Sequence, residues 1–71
     1  MQYAKIDNAT VGKRLRDLRG EKPMEEVCAA TGIGRSALNM YELGYRMPRD
    51  EAKIRLAMYY GRSVEEIFFS A

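Results

Sequence analysis

The sequence predicts an all-α protein, a compact bundle of five helices. Three observations carry that expectation. Apolar residues recur at helical spacing in successive short stretches, and glycines at 20, 32, 44 and 61 fall where those stretches end. The chain has 71 residues, one domain at most and near the lower limit for folding on its own core. A small helical bundle gives so short a chain the most burial.

Residues 1–9 are the least determined; Tyr3 and Ile6 alternate with polar residues, which suits an extended or disordered arm. Thr10 is expected to cap helix one, with Val11, Leu15 and Leu18 as its inward stripe and Gly20 as its stop. Pro23 suits the first turn of helix two, with Glu25 and Glu26 near its positive end. Gly34 caps helix three without a side chain, and Gly44 ends it. After Pro48 a fourth helix is expected over residues 49–60, with Ile54, Ala57 and Met58 inward. Ser63-Val-Glu-Glu66 is a capping box opening a short last helix that buries Val64, Ile67 and one of Phe68 and Phe69. The domain is therefore placed at residues 10–71, behind the arm.

Residues 24–43, M-E-E-V-C-A-A-T-G-I-G-R-S-A-L-N-M-Y-E-L, are the most informative stretch. Val27, Cys28 and Thr31 precede Gly32, and Ala37, Leu38 and Tyr41 follow it at the same helical spacing. Gly32 stands where a chain leaving a helix takes positive φ. Cys28 is small enough for two helices to cross over it. A small residue, a glycine four later and an aliphatic six after that form the pattern of a DNA-binding helix-turn-helix, here helices two and three.

Composition narrows the function classes. The net charge is only +2, so bulk charge does not hold this chain to nucleic acid. Its distribution says more: residues 1–20 carry Lys5, Lys13, Arg14, Arg16 and Arg19 against Asp7 and Asp17, a net of +3. One cysteine and no histidine exclude an intrachain disulfide and a Cys/His zinc site within one chain. A lone thiol fits a reducing cytoplasm, and neither a signal peptide nor a membrane span is expected. No metal or cofactor is implied, and catalysis is not expected. There is no glycine-rich phosphate loop and no nucleophile beside a base. The adjacent carboxylates Glu25-Glu26 and Glu65-Glu66 serve helix dipoles, because neighbouring residues on a helix do not share a face.

The likeness extends past the core unit. V-G-K-R-L-R-D-L-R at 11–19, E-V-C-A-A-T-G-I-G-R-S-A-L-N-M-Y-E-L-G at 26–44, R-M-P-R-D-E at 46–51 and A-M-Y-Y-G-R-S-V-E-E-I-F-F at 57–69 together resemble the Cro-like, lambda-repressor-like helix-turn-helix domains of the xenobiotic-response-element type. The resemblance implies a sequence-specific transcriptional regulator, a repressor from a phage, mobile element or bacterial chromosome. Its partner would be a double-stranded DNA operator, read in the major groove by helix three of a homodimer. Arg35, Ser36 and Met40 match base-reading positions. An arginine fork at 35 can donate two hydrogen bonds to guanine O6 and N7, worth about 1–3 kcal/mol of discrimination. Asn39 could pair with an adenine or reach a phosphate. Lys13, Gly34, Arg46 and Arg49 are the expected phosphate contacts. Arg19 and Glu42 match an ion pair that orients helix one against helix three. Phe68 and Phe69 are the expected dimer seam, the alternative being that both turn inward.

Several positions depart from the family pattern. Met24 replaces a phosphate-binding glutamine, Gly34 a hydroxyl cap, Leu43 a backbone-facing polar residue and Met40 a polar base reader. The turn between helices one and two is two residues shorter than in many members. Gly34 could admit a phosphate close to the backbone amides, and Met40 could pack on a thymine methyl. Alternatively, Met24, Met40, Leu43 and Met47 form an adaptable apolar surface, and the chain is a protein-interaction module on the same fold, an antitoxin-like partner or accessory subunit.

Overall fold

The computed structural model describes residues 6–70, and within them the chain is five helices and their turns. These are α1 (Asn8–Arg19), α2 (Met24–Thr31), α3 (Arg35–Leu43), α4 (Asp50–Tyr60) and α5 (Val64–Phe68). Tyr3 and the rest of residues 1–5 lie outside the described residues. Helix α1 packs most extensively on α3, α2 packs on α3 and α4, and α5 closes the bundle against α1 and α4. The core joins Val11 and Leu15 of α1, Val27 of α2, Leu38 and Tyr41 of α3, Leu56 of α4, and Ile67 and Phe68 of α5.

Helix α1 starts earlier than the sequence reading placed it. Asp7, not Thr10, is the N-cap, and its carboxylate accepts a 2.8 Å hydrogen bond from the Thr10 amide. Both residue types cap well, so the choice falls to packing. Starting at Asn8 lets the first turn lie along the end of α3, where Ala9 meets Gly44. That bond holds the Asp7 carboxyl below its ordinary value. Pro23 likewise sits one position outside α2, as its N-cap.

Two glycines fix the frame. Gly12 is buried inside α1, and a Cβ there would lie 2.5 Å from the Glu42 carbonyl oxygen and 2.7 Å from that of Tyr41. The absence of a side chain at 12 is what lets α1 rest on the last turn of α3. Gly32, at φ 75°, turns the chain from α2 into α3, and its amide donates to the Cys28 carbonyl. Thr31 braces the same turn: its hydroxyl donates to the Val27 carbonyl and accepts from the Ile33 amide. From α4, Arg55 donates to the Thr31 carbonyl, one of the carbonyls the end of α2 leaves unpaired.

The inward face of α4 corrects the sequence reading. Ile54 is 51% exposed and Met58 77%, whereas Leu56 and Ala57 are buried and Lys53 and Tyr60 half-buried. The segment A-K-I-R-L-A-M-Y-Y holds two competing stripes, 54–57–58 and 53–56–57–60. The second is the one α5 covers, which is possible because a lysine stem can lie along an apolar surface while its charge stays outside. The Lys53 ammonium sits 4.7 Å from the centroid of the Phe69 ring and 5.9 Å from that of Phe68. Helix α5 opens with the expected capping box: the Glu66 amide donates to Ser63 Oγ and the Ser63 amide to Glu66 Oε1. Arg14 of α1 donates to the carbonyls of Glu66 and Ile67, tying down the other end of α5.

Candidate nucleic-acid interface

Helix α3 buries Leu38, Tyr41 and Glu42 and exposes Arg35, Ser36, Asn39 and Met40. Its buried side faces α1 and α2, so the outer side is polar for its first turn and apolar further on, at Met40 and Leu43. Gly34 caps the helix with no side chain, and a Cβ there would meet nothing within 4 Å. No side chain at 34 stands over the amides of the first turn, a geometry suited to an anionic oxygen.

The frame behind this helix carries a charge pair. Arg19 reaches from the end of α1 to Glu42, with Nε donating to Oε2 at 2.8 Å and Nη2 to Oε1 at 2.9 Å. Its Nη1 donates to the Lys22 carbonyl. The Glu42 side chain is only 2% exposed, so its charge is compensated inside the protein. That hydrogen bond raises the Arg19 pKa further, more than partial burial lowers it. A two-point grip fixes direction as well as distance, which sets the orientation of α3 on α1.

Tyr60 lies beside this pair. Its hydroxyl is buried without a hydrogen-bond partner among the described residues, and burial, with the Glu42 charge next, pushes its pKa up to about 12. Its ring packs edge-on against Tyr59, 5.0 Å between centroids.

The basic candidates occupy different settings. Arg46 and Arg49 are exposed on the loop after α3, and neither side chain makes a hydrogen bond or ion pair among the described residues. That loop is held from beneath, since Pro48 is buried and Met47 packs on the core. Lys13 is exposed on α1 and paired with Asp17 at 3.2 Å, a surface contact a phosphate could displace. Arg35 is paired with Glu25 of α2. Glu25 is held below its ordinary value by a backbone hydrogen bond at the helix start and then by the Arg35 charge.

Three expectations change here. Met24 and Met47 are partly buried against the core, so the apolar surface expected from four residues contracts to Met40 and Leu43, with Tyr45 exposed nearby in the chain. Phe68 is 2% exposed and faces inward, so it cannot form a dimer seam; Phe69 is 47% exposed. The side-chain role of Glu25 exceeds the dipole role read from its position. Its signal was legible in principle, because a helix-turn-helix brings the first turns of its two helices together, and these carry opposite charges.

A profile of the helix-turn-helix family matches residues 13–67, from α1 into α5. The chain belongs to that family. Helix-turn-helix members of this Cro-like type are DNA-binding transcriptional regulators, not enzymes. Among curated proteins the chain is 36% identical over 56 residues to the cryptic phage CTXphi transcriptional repressor RstR of Vibrio cholerae. The match covers 76% of this chain and 50% of the repressor, so the chain spans about half the length of that relative.

Solved helix-turn-helix structures superpose closely. The restriction-modification controller protein C.AhdI of Aeromonas hydrophila matches with a TM-score of 0.77 and 28% identity, covering 86% of this chain and 96% of that one. The SOS-response transcriptional repressor LexA of Eubacterium rectale gives 0.81 at 20% identity, over 94% and 74% of the two chains, a likeness of fold alone. No helix among the described residues is long and apolar enough to cross a membrane, and no cluster of three or more His, Cys, Asp or Glu among them could hold a metal ion.

Proposed function

We propose that this helix-turn-helix protein is a repressor that occupies a double-stranded DNA operator as a homodimer in the cytoplasm, with α3 in the major groove. The observation that carries the reading is the first half of α3. Arg35, Ser36 and Asn39 stand exposed there on a helix whose other face is fixed by Gly12 and the Arg19–Glu42 grip. Arg35 is the principal base reader, through a guanine; Asn39 and Ser36 add contacts, and Met40 packs on a thymine methyl. Arg46, Arg49, Lys13 and the amides behind Gly34 hold phosphates. Repression follows from occupancy, with no chemistry. One helix reads few base pairs, so two copies on paired half-sites supply useful specificity. With Phe68 inward, the seam falls to Phe69 together with Ile54 and Met58, the exposed apolar residues of the last two helices and the segment between them and the chain end.

The test is a selection from a random DNA pool with the purified protein, repeated with Arg35→Ala. An inverted-repeat motif is expected, with one guanine preference erased in the variant. Three basic side chains on each of two subunits neutralise about six phosphates, so log affinity should fall with log salt at a slope of about −5. No enriched motif would remove this reading and favour a protein partner on Met40, Leu43 and Tyr45.

A further inference from the structure

Glu25 touches the side chain on which the proposed reading depends. It lies in the first turn of α2, Arg35 opens α3, and the turn between the helices brings the two together. Arg35 Nη1 donates to Glu25 Oε2. Both side chains are about two-thirds exposed, at 65% and 67%. Exposed pairs of this kind contribute little to stability. The other exposed ion pairs among the described residues, Lys13–Asp17, Arg55–Glu51 and Arg62–Glu66, each join residues four apart in sequence. Glu25–Arg35 alone among them joins two helices.

The nitrogen used decides what remains free. With Nη1 anchored, the Nε–Nη2 edge of Arg35 is left to present two parallel donors. Arg19 shows the same division of labour within this chain: Nη1 is held by the Lys22 carbonyl while Nε and Nη2 grip both oxygens of Glu42. Guanine offers the matching pair of acceptors, O6 and N7. A free arginine has many rotamers to lose on binding, and anchoring it beforehand lowers that cost. The Glu25 carboxylate also repels phosphate, so it weakens attachment to DNA that offers Arg35 no guanine.

We infer that Glu25 is a positioning residue for base reading: it anchors Arg35 through Nη1 and leaves the Nε–Nη2 edge for a guanine. Glu25 thereby converts a basic side chain that would attract any DNA into one that discriminates. The inference rests on the DNA-reading function proposed above. Glu26, the next residue, carries the same charge and makes no hydrogen bond or ion pair with Arg35; its carboxylate accepts a long hydrogen bond from Tyr59. It is the natural control for charge alone.

The experiment measures Kd for three duplexes: the selected operator, the same operator with the Arg35-dependent guanine pair changed to adenine–thymine, and a scrambled sequence. It compares the full chain with Glu25→Ala, Glu26→Ala and Arg35→Ala. A bidentate contact gives a guanine preference of roughly 5- to 150-fold. Glu25→Ala is expected to cut that preference by about tenfold, or to abolish it if it starts smaller, while binding scrambled DNA more tightly. Glu26→Ala is expected to tighten scrambled DNA as well but to leave the preference intact. An unchanged or increased preference in Glu25→Ala, or an equal loss in Glu26→Ala, overturns the positioning role and leaves DNA reading standing. A motif that Arg35→Ala does not alter also overturns it. No motif from the unmodified chain overturns both.

Discussion

At the scale of single residues, the polar groups that count are those the fold has partly or wholly removed from water. Glu42 is buried and fully engaged by Arg19, whereas the Tyr60 hydroxyl beside them is buried and finds no partner among the described residues. A buried hydroxyl without a hydrogen bond costs about 1–3 kcal/mol, so Tyr60→Phe should stabilise the domain at neutral pH by about 1 kcal/mol. The same substitution changes the alkaline limit. Folding raises the Tyr60 pKa from 10.0 to about 12, because burial and the Glu42 charge oppose the phenolate. The folded state therefore keeps its proton after the unfolded state has begun to lose it. The contribution of neutral Tyr60 is complete below pH 10 and drains away as pH rises from 10 through 12. Urea titrations at pH 7 and at half-unit steps from 9.5 to 11.5 check both effects. A variant less stable at pH 7, or one with an unchanged alkaline slope, would contradict this account of Tyr60.

Among the elements, what the sequence showed and what it hid divide along a physical line. Helix number, the turn at Gly32 and the Ser63–Glu66 capping box are local matters of spacing and caps, and they were legible. The inward face of α4 was not, because Ile54 and Met58 are more apolar than Lys53, and only the position of α5 decides which stripe is covered. At the candidate site, exposure of Arg35, Ser36 and Asn39 followed from helical spacing, but the Glu25 contact needed the two helix starts to be placed together. Gly12 was hidden for the same reason: within α1 it reads as a weak helix former, and its purpose lies on α3. Gly12→Ala tests that purpose. Helix propensity alone would stabilise α1 by about 1 kcal/mol. The added methyl instead meets the carbonyls of Tyr41 and Glu42, backbone atoms with no rotamer to escape into, and α1 must lift off α3. Overpacking costs about 1–3 kcal/mol, so the net expectation is a loss of up to about 2 kcal/mol and weaker DNA binding, since the Arg19–Glu42 grip is strained too. Thermal unfolding of the variant checks the sign, and a raised midpoint would show that the interhelix contact yields.

For the whole molecule, the proposed reading helix and the proposed seam sit on different parts of one small frame, so assembly and DNA affinity should be separable by mutation. Helix α3 is gripped by α1, and α1 in turn holds α5 through Arg14 and the backbone carbonyls of Glu66 and Ile67. Within each copy these contacts join α3 to α5, and a seam at Phe69, Ile54 and Met58 would set the separation of the two copies of α3. Met58 is 77% exposed and outside the core, so Met58→Glu leaves the monomer fold intact. In a two-fold seam each copy contributes the same residue, and the two introduced charges face like-charged and apolar surroundings. The variant is expected to sediment as a monomer at concentrations where the unmodified chain is a dimer. Its affinity for an isolated half-site should be unchanged, while its affinity for the paired operator falls at least tenfold and becomes steeply dependent on protein concentration. Loss of half-site affinity would mean that Met58 supports the fold after all. Unchanged affinity for the paired operator would place the seam away from Met58, and Phe69 is then the next residue to substitute.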